Sequence, residues 1–275
     1  MKRFIQFILF IFTLEPVLHA QTDAAEALVR QSVANYEKNW RAAMQWGYTQ
    51  TDITEKDRGK ETTVSEIFPL EGTPYERVIA KDGKPLASDE LSKEQRKFEK
   101  ELNARREETT AERQARISKC EKQREFIKEI PQAYDFKLVG EENVAGRPAW
   151  VVTLTPKPGF VPQQPHGEML QHIEGKLWID KQELQWAKAD AHVIDTISIG
   201  LILARIGPGA HITIEMTRVA AGVWMPANMN INGTARVLLV HNKNLDERLL
   251  FSEYHRAPPT PASTQVANVR ASGLR

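Results

Sequence analysis

The side chains best suited to hold a metal ion lie close together in the second half of the chain. His166, His172 and Glu174 could ligate an ion if a turn gathered them. The segment His172-Ile-Glu174 also resembles part of the zinc-deaminase signature, but that signature needs two further cysteines and the chain has a single one. Loose spacing of this kind is common by chance. The sequence therefore predicts no metal site, and no pattern in it indicates a cofactor.

A second set of residues has the chemistry of a general acid and base. Asp190 and Asp195 could pair with Glu215, and His211 lies on the same face of a predicted strand as Glu215. The simpler interpretation is that this strand face is solvated. The chain also lacks the nucleophile elbow, the phosphate-binding loop, the dinucleotide fingerprint and the HExxH zinc motif. We predict that the protein is not an enzyme, and an unrecognised hydrolase is the alternative.

The single cysteine, Cys120, lies in a highly charged stretch. It can form no internal disulfide, and a zinc–thiolate site needs more than one cysteine. Lys119 and Lys122 would favour a thiolate, but Glu121 would oppose it, so we predict no catalytic role. A hydrophobic core must therefore stabilise the chain, which is long enough to bury one.

Large apolar side chains indicate a ligand pocket more clearly than the polar groups indicate a reaction. Trp178, Trp186 and Trp224 lie on neighbouring predicted strands, and Tyr36 and Trp40 lie on a predicted helix. Ligand pockets are mostly apolar and carry a few polar groups. The predicted cavity and its lid are formed by nine residues: Tyr36, Trp40, Trp178, Trp186, Ile199, Leu201, Leu203, Trp224 and Phe251. The alternative is that the tryptophans only cap the edge of a barrel.

The beginning of the chain has the pattern of a secretory signal peptide. Lys2 and Arg3 form a basic region, and Phe4–Leu14 is an apolar run of signal-peptide length, shorter than a membrane span. Ala20 is the small residue expected at a cleavage site, so we predict a signal peptide at 1–20 and cleavage before Gln21. No later segment is long and apolar enough to span a membrane. The mature protein is therefore expected in the periplasm, and a retained N-terminal anchor is the alternative.

Overall charge limits the kinds of partner. Lys and Arg together number 37 and Asp and Glu 36, which gives a formal net charge of +1. Proteins that bind nucleic acid generally carry a basic patch and a high isoelectric point. We therefore predict no nucleic-acid partner.

Hydrophobic periodicity predicts a helix followed mainly by strands. Apolar residues at three- and four-residue steps indicate an amphipathic helix over Thr22–Trp46, and Pro16 is expected to break any earlier helix. Strands joined by short turns follow as far as residue 83 and again from Phe136 to His255. In one of them, Ile212, Ile214 and Met216 are expected to share a face. The tail 257–275, rich in Pro, Ala, Ser and Thr, is predicted to be disordered.

Two segments interrupt this pattern. Ser88–Pro131 is dense in Glu, Lys, Arg and Gln, and Ser92 with Gln95 fits a capping box that opens a helix. We interpret the segment as a solvated helical pair with a thin apolar seam, and the alternative is a partner-docking arm or moving lid. Val193–Ala210 is apolar but rich in glycine. It is expected to be a buried strand or short helix, or else a flexible flap at the mouth of a cavity.

Together these elements predict a mainly β (α+β) fold. Consecutive antiparallel strands curl as they twist, so we expect an unclosed β-barrel or strongly curved sheet with an N-terminal lid helix and a charged helical insert. One domain, residues 21–256, is sufficient, and the insert occupies about 88–131.

Three stretches carry a resemblance to a known family: GKLWIDKQELQWAKADAHV, HITIEMTRVAAGVWMPANMNINGTARVLLV and RLLFSEYHR. With the Asp that ends the strand after Trp178 and the step Gly222-Val-Trp224-Met-Pro226, they resemble outer-membrane lipoprotein-sorting proteins. These form the superfamily of the LolA carrier and its outer-membrane receptor LolB. The resemblance covers Ala24–Leu86 and Phe136–Arg256 and leaves the charged insert unmatched. It implies a half-barrel with a helical lid over an apolar cavity that receives acyl chains.

From the pattern and the resemblance we predict a periplasmic, non-enzymatic binding or carrier protein. Its expected cargo is lipid or the acyl chains of lipoproteins, which it would transport or protect as a chaperone. The alternative is an envelope interaction or sensing protein that contacts a protein partner through Ser88–Pro131.

Overall fold

The structure, a computed structural model, describes residues 15–56, 59–199, 204–237 and 241–257. The first part of the chain contains helix α1 (Glu15–Ala43) and strands β1 (Trp46–Lys56), β2 (Gly59–Leu70), β3 (Thr73–Lys81) and β4 (Lys84–Pro85). The insert contains α2 (Ser88–Glu107), α3 (Thr110–Lys122), a 3₁₀ helix (Glu125–Glu129) and α4 (Ile130–Ala133). The last part contains β5 (Tyr134–Val144), β6 (Arg147–Pro156), a 3₁₀ helix (Gly167–Gln171), β7 (Ile173–Asp180), β8 (Trp186–Val193), β9 (Ile197–Ile199), β10 (Ala204–Ile206), β11 (His211–Ala220), β12 (Val223–Val237) and β13 (His241–Arg256).

All these strands belong to one antiparallel sheet. Eleven of them pair in the order β4-β3-β2-β1-β13-β12-β11-β8-β7-β6-β5, and the pairing of β1 with β13 joins the two ends of the chain. Within the described residues the two edge strands, β4 and β5, do not pair with each other, so the sheet is unclosed. The predicted mainly β architecture, with a helix before the sheet and a helical insert within it, is confirmed.

Helix α1 begins earlier than predicted. It starts at Glu15 and includes Pro16, whereas any earlier helix that Pro16 was expected to break would lie in residues 1–14, outside the described residues. Proline is tolerated in the first turn because its missing N–H would have no partner there. The predicted signal peptide, 1–20, lies largely outside the described residues and stays a prediction. Among the described helices, none combines the length and the apolar character needed to cross a bilayer.

The main core lies where α1 crosses one end of the sheet. Ala25, Val29 and Val33 of α1 are buried against side chains of β5, β6 and β7, with α4 beside them. A smaller cluster on the opposite face of the same strands contains Val151 and Trp178. At this end of the sheet, α1 covers one face, and on the other face side chains of neighbouring strands pack against each other.

The insert is attached to the turn between β2 and β3. Arg105 of α2 is only 8% exposed, and its Nη1 donates to the carbonyl oxygen of Leu70 at 2.8 Å and to the Thr73 hydroxyl at 3.1 Å. Arg116 of α3 donates to the same hydroxyl at 2.6 Å and holds Glu108 by two hydrogen bonds of 2.7 Å. We call the contacts of these two arginines with the turn the arginine latch. The insert is thus fixed to the sheet.

The helices of the insert are present, but their ends differ from the prediction. Helix α2 begins at Ser88, and Ser92 lies inside it with its hydroxyl donating to the Ser88 carbonyl. The observed capping box is Thr109 with Glu112, at the start of α3. The predicted thin seam exists as Phe98, whose ring contacts those of Phe68 and Tyr75 on β2 and β3. The corresponding centroids are 6.0 and 5.6 Å away.

The glycine-rich segment Val193–Ala210 continues the sheet. Strands β9 and β10 pair with each other, and β10 extends the sheet beside β12 where β11 has not yet begun. Val193, Ile197 and Ala210 form a small buried cluster at its base. The described part therefore forms strands, as one of the two expectations held, but of its described side chains only Val193, Ile197 and Ala210 are buried. Residues 200–203 and residues 258–275 of the predicted tail lie outside the described residues.

The arginine latch predicts an unequal effect of two neighbouring substitutions. Arg105→Met keeps most of the apolar stem but removes the donor to the Leu70 carbonyl oxygen and leaves the Thr73 hydroxyl to Arg116 alone, so the free energy of unfolding should fall by about 1–3 kcal/mol. Arg106→Met removes only a half-exposed charge 3.9 Å from Glu71 and should cost less than about 1 kcal/mol. Urea unfolding followed by circular dichroism measures both, and equal losses would contradict the latch.

Candidate functional site

The face of the sheet that carries α1, here called the helix-bearing face, can be followed strand by strand. Val152, Leu177 and Ala189 belong to the core beneath α1 and pair with one another across β6, β7 and β8. Residues directly opposite each other on paired strands share a face. From Ala189 the row continues through Ile214 of β11 and Met229 of β12.

Beyond the core this face stays apolar but is no longer fully covered. Leu249 pairs with Met229, and the adjacent row pairs Ala191 with Ile212 and Ile212 with Ile231. Every side chain of this region is half-buried, whereas Val152 at the start of the row is 0% exposed. We name this region the apolar stripe; it comprises Ile212, Ile214, Met229, Ile231, Leu249 and Phe251.

Polar side chains border the stripe on β1 and β2. Asp52 pairs with Leu249, and Gln50 pairs with Phe251 and Ser65. Glu247, which pairs with Ile231, closes the row on β13. An apolar surface with polar groups along one side suits a ligand that has both an apolar and a polar part.

One end of the stripe is held by aromatic residues. Tyr48 contacts the Phe251 ring at 5.8 Å between centroids and the Tyr254 ring at 6.4 Å. The Tyr254 hydroxyl donates to the carbonyl oxygens of Phe251, at 2.9 Å, and of Pro226. Burial raises the pKa of Tyr254 to about 12, and burial together with Glu76 raises the pKa of Tyr48. Both phenols therefore stay neutral at physiological pH.

Helix α1 forms a fixed wall at the other end. Tyr36 stacks on Trp186 with centroids 4.2 Å apart, and Trp186 Nε1 donates to the buried Ser32 hydroxyl at 3.0 Å. Asn39 exchanges two hydrogen bonds with the backbone of Trp224, at 2.7 and 2.8 Å. Trp40 lies beneath the Arg124 guanidinium, 4.1 Å from the ring centroid. Lifting α1 would break all of these contacts.

The nine residues predicted to form one cavity are not brought together. Tyr36 of α1 stacks on Trp186 of β8, and Phe251 lies on the same face of the sheet as Trp186. Trp178 and Trp224 pack together on the opposite face. Ile199 is in β9 but its side chain lies outside the described set, as do Leu201 and Leu203.

The tryptophans separate because of a β-bulge. Trp178 pairs with Lys188, whereas the next residue, Ile179, pairs with Trp186 after a register shift. Beyond a bulge, each side chain points to the face opposite to the one that regular alternation predicts. The alternation of residues in the sequence does not show where a bulge occurs. Met216 likewise packs against the cluster of Trp178 and Trp224 rather than with Ile214, at the point where the β11–β12 register shifts between Glu215 and Met216.

The opposite face near Trp224 holds a charged network. Glu183 accepts from Trp224 Nε1 at 2.7 Å and from Arg218 at 2.6 Å. Asp180 is 0% exposed and accepts two hydrogen bonds from Arg147. Although burial raises the pKa of Asp180, the Arg147 guanidinium and the backbone amide of Glu183 hold it below its ordinary value. Asp180, at the end of β7, thus holds Arg147 and the following turn in place by its hydrogen bonds.

The candidate acids and bases are dispersed. Asp195 is exposed and lies 3.6 Å from His172. Glu215 accepts from Asn228 at 2.8 Å, and Asp190 contacts His211 instead. The described residues thus do not gather Asp190, Asp195 and Glu215 around one cleft.

Two cavities of the described chain lie away from the stripe. One, of about 390 Å³, is lined by residues of α3 and by Pro165 and His166. The other is small, about 60 Å³, and lies between α1 and the insert beside Glu37 and Arg124. The stripe is therefore an open surface rather than one of these cavities, and sequence periodicity alone could identify only its β11 portion.

The chain is similar to a known family over part of its length. Residues 40–160 match the family model of the MucB/RseB N-terminal domain. This range runs from the end of α1 to just beyond β6 and spans the helical insert, which the resemblance to lipoprotein-sorting proteins leaves unmatched. No curated protein sequence matches the chain.

The solved structures that match the chain share little sequence with it. An outer membrane lipoprotein-sorting protein domain from Vibrio parahaemolyticus is 11% identical, with 82% of this chain and 92% of that chain covered and a TM-score of 0.33. A LolA superfamily protein from Nitrosomonas europaea is 10% identical, with 84% and 94% covered and a TM-score of 0.34. The Pseudomonas aeruginosa MucA/MucB complex contains a chain that is 12% identical, with 83% and 100% covered and a TM-score of 0.23.

The family similarity of this chain is thus to the MucB/RseB N-terminal domain, over residues 40–160.

The buried carboxylate of Asp180 predicts a pH-dependent stability. A depressed pKa contributes stability that is present above the unfolded value, about 3.9, and is lost as pH falls through the folded value. Asp180→Asn should lower the free energy of unfolding by about 1–3 kcal/mol at pH 7, and the difference from the unsubstituted protein should shrink below about pH 4.

Urea unfolding between pH 7 and pH 2.5 measures this difference. Asp195→Asn is the control, because Asp195 is 72% exposed and its substitution should have little effect at any pH. A deficit for Asp180→Asn that stays constant down to the lowest pH would contradict the assignment.

Proposed function

We propose that this protein is a periplasmic, non-enzymatic carrier that holds the acyl chains of a lipid or of a lipoprotein on the apolar stripe. The observation that carries the proposal is the stripe itself. It continues the core beneath α1 through the pairing of Ala189 with Ile214, yet its side chains remain half-buried.

The stripe has the chemistry that an acyl chain requires. Burying a methylene group removes it from water and stabilises the complex by about 0.8 kcal/mol. A chain laid along Ile214, Met229 and Leu249 would contact apolar side chains from three adjacent strands, which span about 10 Å. The polar border at Gln50 and Asp52 then provides hydrogen-bonding groups for a headgroup.

The position of α1 favours entry of cargo from the open side of the stripe. The Asn39 hydrogen bonds and the Tyr36–Trp186 stack hold α1 against the sheet. We therefore assign Tyr36 and Trp186 to the wall of the site and Phe251 to its floor. Trp40 contacts Arg124 of the insert and would help to hold α1 in place rather than contact the cargo.

Periplasmic location rests on the sequence pattern and on the family match. Residues 1–20 have the features of a signal peptide, and 40–160 match the MucB/RseB N-terminal domain. Cleavage before Gln21 would release the mature chain.

Partner binding through the insert is the second candidate function. MucB has been solved in complex with MucA, and the family match includes the insert of this chain. Leu91 on α2 is 57% exposed, beside many charged residues. A protein partner would contact this surface and leave the stripe free.

Acyl binding predicts that a polar substitution on the stripe weakens cargo affinity. Met229→Gln replaces an apolar side chain by a polar one of similar length, and losing its contact should raise the Kd for a dansyl-labelled fatty acid about tenfold. Fluorescence titration of the mature chain 21–275 measures the Kd. Competition by a synthetic triacylated lipopeptide distinguishes lipoprotein from free fatty acid as the preferred cargo.

The adjacent residue offers a matched control. Asn230 faces the opposite side of β12, where its amide donates to Thr213 at 3.1 Å, so Asn230→Gln should leave the Kd unchanged. Equal effects of the two substitutions, or no saturable binding to the unsubstituted protein, would overturn the acyl-carrier proposal. The second result would favour partner binding through the insert.

A further inference from the structure

Three potential metal ligands meet on the face of the sheet opposite α1. Asp190 and His192 lie on β8, and His211 lies on β11 directly across from His192. One carboxylate oxygen of Asp190 is 2.8 Å from Nε2 of His211 and 3.1 Å from Nε2 of His192. The ligand atoms of all three residues lie within 4.8 Å of one another.

The two imidazole rings are stacked. Their centroids are 4.3 Å apart and their planes differ by 4°. The stacking places the Nε2 atoms of both rings beside the same Asp190 oxygen. The Asp190 oxygen lies between the two imidazole nitrogens, so one ion beside that oxygen could contact all three side chains.

The cluster is accessible and sits on rigid elements. Side-chain exposure is 28% for Asp190, 38% for His211 and 52% for His192, so an ion can reach all three from solvent. Both strands are internal to the sheet, with β7 on one side and β12 on the other. Strand positions hold ligands more precisely than loops do.

We propose that Asp190, His192 and His211 form a binding site for a divalent late first-row transition-metal ion, with Zn²⁺ as the expected ligand. Two imidazole nitrogens and a carboxylate oxygen are common zinc ligands, and three protein ligands leave coordination positions for water. Mg²⁺ and Ca²⁺ prefer oxygen ligands only and should bind poorly. Binding requires the stacked rings to turn so that both Nε2 atoms converge on the ion.

Neighbouring charges modulate the site. Glu174 of β7 pairs with His192, which places another carboxylate in the same row. Lys176 pairs with Asp190 and brings an opposing positive charge. The neutral Thr213 pairs with Asp190 from the other side. The metal site lies on the face opposite the apolar stripe and does not depend on the proposed acyl binding.

Isothermal titration of ZnCl₂ into the untagged, EDTA-dialysed full chain tests the site. We expect one saturable equivalent of Zn²⁺ and no comparable binding of Mg²⁺. His192→Gln and His211→Gln should each raise the Kd at least tenfold. His172→Gln is the matched control, because His172 also lies near a carboxylate, 3.6 Å from Asp195, but outside the cluster.

Nuclear magnetic resonance of the imidazole nitrogens gives an independent readout. Zn²⁺ should shift the Nε2 signals of His192 and His211 and leave that of His172 unchanged. Should the histidine variants fail to fold, Asp190→Asn, which keeps the side-chain volume, tests the same ligand set. The proposal is overturned if the unsubstituted chain binds no stoichiometric Zn²⁺, or if the cluster variants and His172→Gln bind it equally.

Discussion

Helix α1 covers only part of one face of a wide sheet, and the rest of that face is left more open. Eleven consecutively paired strands span about 50 Å, because neighbouring strands lie about 4.8 Å apart. Helix α1 packs over β5–β8 and reaches β12 through Asn39. Within the part of the chain that the structure describes, no helix lies above the remaining apolar residues of the helix-bearing face. An apolar face left open in this way is expected to bind something apolar.

The insert covers the other end of the sheet on the opposite face. Phe98 packs on Phe68 and Tyr75, and the arginine latch holds α2 and α3 to the turn between β2 and β3. The guanidiniums attach the helices to this turn by donating to the backbone carbonyl oxygens of Leu70 and Glu71. The high charge of the insert therefore reflects attachment as well as solvation.

The central strands β8, β11 and β12 consequently present different chemistry on their two faces. One face carries the apolar stripe, and the other carries Asp190, His192 and His211 with the neighbouring Thr213 and Asn230. A strand can serve both because its side chains alternate between faces. An acyl site and a metal site can thus share strand β11 without sharing a residue.

The sequence by itself determined the kinds of elements and their order. The helical period of Ala25, Val29 and Val33 and the alternation of Ile212 and Ile214 are local patterns, and the structure agrees with both. Short turns between strands determined that the sheet is antiparallel. Family resemblance was visible for the same reason, since it rests on motifs within single strands and turns.

Only the tertiary structure decided which side chains meet. Bulges after Trp178 and after Glu215 exchanged the faces expected for Trp186 and Met216. His192 and His211 lie on different strands, and no local signal indicates that they pair. Strand register is a non-local property set by packing and by bulges, so a one-residue shift moves every following side chain to the other face. For this reason the presence of a sheet could be predicted from the sequence, whereas the composition of its two faces could not.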